Sequence, residues 1–195
     1  VVKVITPERQ ERSDPFQFPC RCPVCDSLIE RKEREVAYRC TGGLICKAQA
    51  ALRPRHFVSR DAFDIEGLGA KHIETFFSLG MITNPVEIFT LERRDRESSQ
   101  SLSTWEGWGQ KSADNLFRAI RQKREISLDR FIYALGIHQI GQTTSKLLAR
   151  RYGSYEVWAY SMKEASAGNS TFLEELINID GIGPGMAEDL LYFFK

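Results

Sequence analysis

Residues 65–77 read IEGLGAKHIETFF, an apolar residue, a Gly-Leu-Gly turn and then a run whose apolar members fall three and four apart. Apolar residues at that spacing line one face of a helix, so the stretch predicts a tight hairpin that opens directly into a buried helix. The same pattern returns three times when the chain is aligned on Gly69, Gly109, Gly141 and Gly183. One residue earlier stand Leu68, Trp108, Ile140 and Ile182, and four earlier Ile65, Trp105, Ile137 and Ile179. Two earlier the row is Gly67, Gly107, Gln139 and Gly181; seven later it is Phe76, Leu116, Leu148 and Leu190. One Gly-apolar-Gly turn is weak, because such turns occur for packing alone. Four in one register predict four copies of a short helix, a hairpin and a second helix.

The hairpin glycines are expected to allow positive backbone angles, at Gly109 and Gly183 as well as at the glycines before them, and to bring main chain close to another surface. The first amides of each second helix have no partner within the helix and carry the positive end of its dipole, which suits phosphate. Lys71, Lys111, Thr143 and Gly185 share the position two past the marker glycine; for each lysine the plain reading is a solvated surface charge, and the matched position favours phosphate contact. Thr144 is a further candidate donor. Gln139 makes the third copy the odd one, a hairpin read as serving packing more than a ligand. Residues 92–104 (ERRDRESSQSLST) carry charge without period and predict a loop. Arg121, Lys123 and Arg124 suit the end of a helix without any ligand. His56, His72 and His138 pair with no acid or serine in the sequence, and Trp105 and Trp108 read as core.

Upstream of the repeats lie all five cysteines, Cys20, Cys22, Cys25, Cys40 and Cys46. Cys22 and Cys25 form one close pair and Cys40 and Cys46 a second, wider one, so two turns can present four thiolates to one tetrahedral zinc. Pro23 stiffens the first turn, and Gly42 and Gly43 are expected to supply unusual angles in the second. Cys20 is too close to Cys22 to share the site and is left out of it. A redox pair would need a strand-to-helix setting that the flanking residues do not suggest. Four thiolates leave no open position for catalysis, so the zinc is expected to be structural.

A net charge of +1 argues against binding nucleic acid through bulk charge and leaves local geometry to do it. No apolar run is long enough to cross a membrane and no secretory pattern opens the chain, so a cytoplasmic protein is expected; a monomer is expected as well. Val1 begins inside an alternating apolar run and Leu190, Leu191 and Phe194 close the chain without a polar tail, so both ends read as cuts inside a longer protein.

The stretches FPCRCPVCDSLIERKE (18–33), YRCTGGLICKAQ (38–49), HFVSRDAFDIEGLGAKHIE (56–74) and RFIYALGIHQIG (130–141) resemble the C-terminal half of bacterial NAD-dependent DNA ligases, and the resemblance extends over the whole chain. Residues 1–19 are similar to the last strand of the oligonucleotide-binding barrel that precedes the finger in that family. The resemblance implies a mainly α fold: barrel strand and linker over 1–19, a four-cysteine zinc finger over 20–55 and a four-copy helix-hairpin-helix domain over 56–195. It also implies zinc on Cys22, Cys25, Cys40 and Cys46, and nicked duplex DNA gripped in its minor groove by Gly67, Gly69, Lys71, Gly107, Gly109, Lys111, Gly141, Thr143, Gly181, Gly183 and Gly185. The parent enzyme, acting in replication and repair, would use NAD and Mg2+ to join a 3′-hydroxyl to a 5′-phosphate, with its adenylation lysine outside this chain. Two other readings are a stand-alone helix-hairpin-helix repair scaffold, which predicts no finger, and a zinc-stabilised interaction module that binds no nucleic acid.

Overall fold

A computed structural model describes residues 14, 16–31, 36–43 and 45–195. The expected barrel strand over 1–19 lies almost wholly outside these residues. Packing divides the chain into two units, Val1–Ala48 and Gln49–Lys195.

In the first unit a two-stranded antiparallel ribbon pairs β1 (Ile29–Glu30) with β2 (Arg39–Cys40), Ile29 opposite Cys40. An isolated bridge joins Arg21 to Leu28, and Phe18 stacks on Tyr38 with ring centroids 4.1 Å apart. The units divide within the first turn of α1 (Lys47–Phe57).

The second unit is helical. The second helices of the four repeats are α2 (Ala70–Ser78), α4 (Gln110–Gln122), α6 (Gln142–Tyr152) and α9 (Pro184–Phe193). Short first helices precede the third and fourth hairpins, α5 (Leu128–Ala134) and α8 (Ser170–Ile177). In the second copy a single 3-10 turn, Leu102–Thr104, takes that place. In the first, turns follow α1 up to the hairpin. The copies are joined by a 3-10 segment, Pro85–Thr90, and α3 (Leu91–Glu97) between the first two, and by α7 (Tyr155–Ser166) between the last two.

The four copies pack as two pairs. Ile73 and Phe76 of α2 share one core with Leu116 and Ile120 of α4, while Leu148 of α6 and Leu190 of α9 share another with Trp158 and Leu176. The cores are joined by polar clasps as well: Arg130 of α5 donates to Ala62 O at 2.8 Å and Arg60 O at 2.6 Å, and His56 Nε2 lies 2.7 Å from Tyr133 O. Trp105 and Trp108 are half-buried against the first core, as the sequence predicts.

Residues 92–104 are not a loop. α3 holds its place by burying Leu91 and the carboxylate of Asp95, which accepts from Leu102 N at 2.6 Å and from Ser101 Oγ at 3.1 Å. A helix anchored by one leucine and one capping acid has no apolar period to read.

Candidate metal centre and nucleic-acid interface

The Sγ atoms of Cys22, Cys25, Cys40 and Cys46 lie within 4.8 Å of one another, with Cys25–Cys40 at 3.4 Å and Cys22–Cys46 at 4.0 Å. Sulfurs about 2.3 Å from a tetrahedral ion stand about 3.8 Å apart, so the donor set has the size that zinc requires. The backbone brings them there. Cys22 N donates to Ser27 O, Asp26 N to Cys22 O with Asp26 at a φ of +57°, and Gly42 N to Cys40 Sγ at 3.3 Å. Without metal the thiols compete for protons. Ser27, which places its hydroxyl 3.3 Å from Cys25 Sγ, holds that thiol down at about 6; the Gly42 amide pulls Cys40 down, but burial and the neighbouring thiols push it up to about 12. Cys20 is exposed and outside the group, and its carbonyl accepts from Ile29 N.

The two glycines of the second turn differ in their reason for being glycine. Gly43 has a φ of +48°. Gly42 is needed for room: a Cβ there would sit 2.8 Å from Cys25 Sγ and 2.7 Å from Ser27 Oγ. The expectation that both supply unusual angles is corrected for Gly42.

All four hairpins close with one hydrogen bond: Leu68 N to Ile65 O, Trp108 N to Trp105 O, Ile140 N to Ile137 O and Ile182 N to Ile179 O, at 2.9 to 3.3 Å. The third residue of each turn is left-handed: Gly67 at +83°, Gly107 at +78°, Gln139 at +61° and Gly181 at +89°. The marker glycines are not. Gly69, Gly109, Gly141 and Gly183 are extended residues that cap the second helices at φ between −73° and −134°, with no side-chain cap. The expected left-handed strain at Gly109 and Gly183 is therefore wrong, because the turn spends its positive angle two residues earlier. At the markers a side chain would meet open space, with no atom within 4 Å.

Lys71, Lys111, Thr143 and Gly185 each fall on the second residue of their helix and are exposed. Thr144 is buried, and its hydroxyl lies 3.9 Å from Met186 Sδ, so it faces inward rather than toward a ligand. Pro184 at the first position of α9 removes one of that helix's donors. His138, read as unpaired, places Nδ1 2.6 Å from Asp189 Oδ2. The sequence reading also passed over Lys146 and Arg150, which stand on α6 one and two turns beyond Gln142 and were findable from that spacing of four.

Within each pair the hairpins reach across to each other's helices. A Cβ on Gly67 would lie 3.9 Å from Leu116 of α4, and the ring of His72 at the start of α2 stands 4.6 Å from Trp108 of the second hairpin. Likewise a Cβ on Gly181 would lie 3.2 Å from Leu147 of α6, and the third hairpin meets α9 at Asp189. Between the first two hairpins lies a groove of about 630 Å³ bordered by Glu66, His72, Trp108, Ser112 and Arg118.

Comparison with known proteins bears on both parts. Residues 21–48 match the NAD-dependent DNA ligase C4 zinc finger domain, and residues 130–195 match a helix-hairpin-helix motif. The whole chain is similar to proteins named DNA ligase: 56% identical to that of Rhodospirillum rubrum, 47% to that of Pelobacter propionicus and 50% to that of Acidiphilium cryptum. It spans 28%, 29% and 28% of those proteins, so it corresponds to little more than a quarter of their length. Among the described residues no helix is long and apolar enough to cross a membrane. Similarity along its full length to these DNA ligases, together with the match to the NAD-dependent DNA ligase C4 zinc finger domain, places the chain in the NAD-dependent DNA ligase family, of which it represents the finger-and-hairpin part.

Proposed function

We propose that this part of the ligase grips nicked duplex DNA irrespective of sequence, through main-chain amides at the starts of α2, α4, α6 and α9, while a structural zinc on Cys22, Cys25, Cys40 and Cys46 maintains the finger. The observation that carries the reading is the fourfold hairpin whose helices begin on glycine with no side-chain cap. Bare amides at a helix start attract phosphate by hydrogen bonding and by the dipole together. Gly67, Gly107 and Gly181 shape the turns, Gly69, Gly109, Gly141 and Gly183 keep the approach open, and Lys71, Lys111, Thr143 and Gly185 border it with cations or without bulk. This local device suits a chain of net charge +1. The whole protein would then use NAD and Mg2+ to seal the held nick in replication and repair, in the cytoplasm and as a monomer, with its adenylation and barrel domains supplied outside these residues.

Because Gly109 and Gly183 have ordinary extended angles, valine there obstructs the amides without straining the turn. The double variant Gly109→Val, Gly183→Val should stay folded by circular dichroism and lose binding to nicked duplex by roughly tenfold or more. Lys111→Ala should lose less and flatten the salt dependence by about 1 unit of slope. The titration uses two unrelated duplex sequences at several salt concentrations. Marked preference between the sequences, or a folded valine variant that binds normally, would overturn the amide cradle.

A further inference from the structure

The third hairpin breaks the rule of the other three. Gln139 occupies the left-handed position at a φ of +61°, where its counterparts are Gly67, Gly107 and Gly181. A side chain there crowds the backbone, whereas glycine adopts the same angle at no steric cost. The side chain is not idle. Gln139 Nε2 donates to Asp189 Oδ2 at 2.6 Å, and His138 Nδ1 reaches the same oxygen at 2.6 Å. Asp189 is borne by α9, the second helix of the fourth copy, and its side chain is only 11% exposed. Two consecutive turn residues are thus drawn to one carboxylate on the partner hairpin's helix.

That helix is short of cations. α9 reads PGMAEDLLYF without a lysine or arginine, whereas α6, which the third hairpin opens, carries Thr143, Lys146 and Arg150. Within the second pair the side chains suited to phosphate therefore sit on the helix whose opening turn has no glycine at its left-handed position. What fixes that turn fixes where those groups stand.

We infer that Asp189 is a positioning residue for DNA binding: it clamps Gln139 in the left-handed turn and so sets the start of α6, doing for the third hairpin what the missing side chain does for the others. This reading reverses the expectation that the third hairpin serves packing more than a ligand, and it rests on the phosphate-binding role proposed above.

A mutant cycle in the 195-residue chain tests it, with Asp189→Ala, Gln139→Gly and the double variant compared by titration of nicked duplex and, without DNA, by exchange of the Ile140 amide, which closes the turn onto Ile137 O. Asp189→Ala should weaken binding roughly three- to tenfold and speed exchange at the turn. In the Gln139→Gly background the same change should lose at least roughly threefold less, because glycine holds the angle unaided and the His138 contact is common to both backgrounds. Asp189→Asn, which keeps an acceptor oxygen, should fall between. Equal losses in both backgrounds, or turn exchange unmoved by Asp189→Ala, would overturn the inference. Failure of the unmutated chain to bind any duplex would instead sink the proposed function, and the exchange cycle would still decide whether Asp189 sets the turn.

Discussion

The finger and the repeats solve the same problem with different materials. In the repeats, interior space is filled by large apolar side chains such as Phe76, Leu116, Trp158 and Leu190, each almost wholly removed from water. Among the described residues of the first unit, up to Ala48, the buried positions are Cys22, Gly42 and Cys46, while Phe16, Val36 and Ile45 are 76%, 91% and 80% exposed. A segment that buries sulfur in place of hydrocarbon has little hydrophobic gain to set against the entropy of ordering its chain. One unit is held at a point and the other throughout its volume, so each should fail to a different insult.

The largest expected effect is on the finger. Stripping zinc with a strong chelator, or replacing Cys46 with serine, should abolish protection of the Ile29 and Thr41 amides, since small cysteine sites fold with their metal. The thermal unfolding of the helices should be nearly unchanged. Loss of the helical signal in the same titration would show that the two supports are not independent.

A smaller effect separates the glycines of one hairpin. Gly181→Val puts a branched side chain at a φ of +89° and 3.2 Å from Leu147, which should lower stability by about 1–2 kcal/mol or more in urea melts. Gly183→Val, at −84° in open space, should cost under about 1 kcal/mol. Zinc content should be the same in both. Equal destabilisation would mean that the turn, and not the residue that caps the helix, has been misassigned.

The smallest effect concerns α3. Glu92 accepts from Arg121 at 2.6 Å and from Arg96 at 2.5 Å, and the Arg121 hydrogen bond leads in holding its carboxyl below the ordinary 4.5. A carboxylate depressed in the folded state stabilises fully above its unfolded value, and the contribution disappears as pH falls through the folded one. Both arginines are largely exposed, so Glu92→Gln should cost only about 0.2–1 kcal/mol at neutral pH. The gap from the parent chain should close as the medium is acidified below 4.5. A gap that widens in acid would refute the assignment.

The repeats were legible because turn chemistry is local: a closing bond, a left-handed residue and a helix start all fall within a few residues of one another, so the pattern survives in the sequence. The four thiols were legible for a related reason, since the metal dictates residue type and near spacing. What the sequence concealed was tertiary. α3 rests on a buried acid that caps Leu102 from seven residues away. Gln139 and His138 meet an aspartate some 50 residues further on. Assigning the positive angle to Gly109 and Gly183 failed for a different reason, because both glycines of those turns fit the same pattern and only coordinates distinguish the one that turns the chain from the one that clears the way.

At two other helix starts the chain closes the end from within, Ser154 accepting from Val157 N at the head of α7 and Asn84 from Val86 N and Glu87 N before the 3-10 segment, whereas α3, α5 and α8 begin without a side-chain cap bond. At the four hairpins it declines to do so, although serine or asparagine in place of glycine would add a few tenths of a kcal/mol at each. The omission leaves amides at each helix start without a side-chain partner, which under the proposed function an arriving phosphate would supply. Binding and folding would thereby be coupled, and occupied hairpins should resist melting more than empty ones. On the proposed function, the nucleic acid would serve these helices as the cap side chain that glycine lacks.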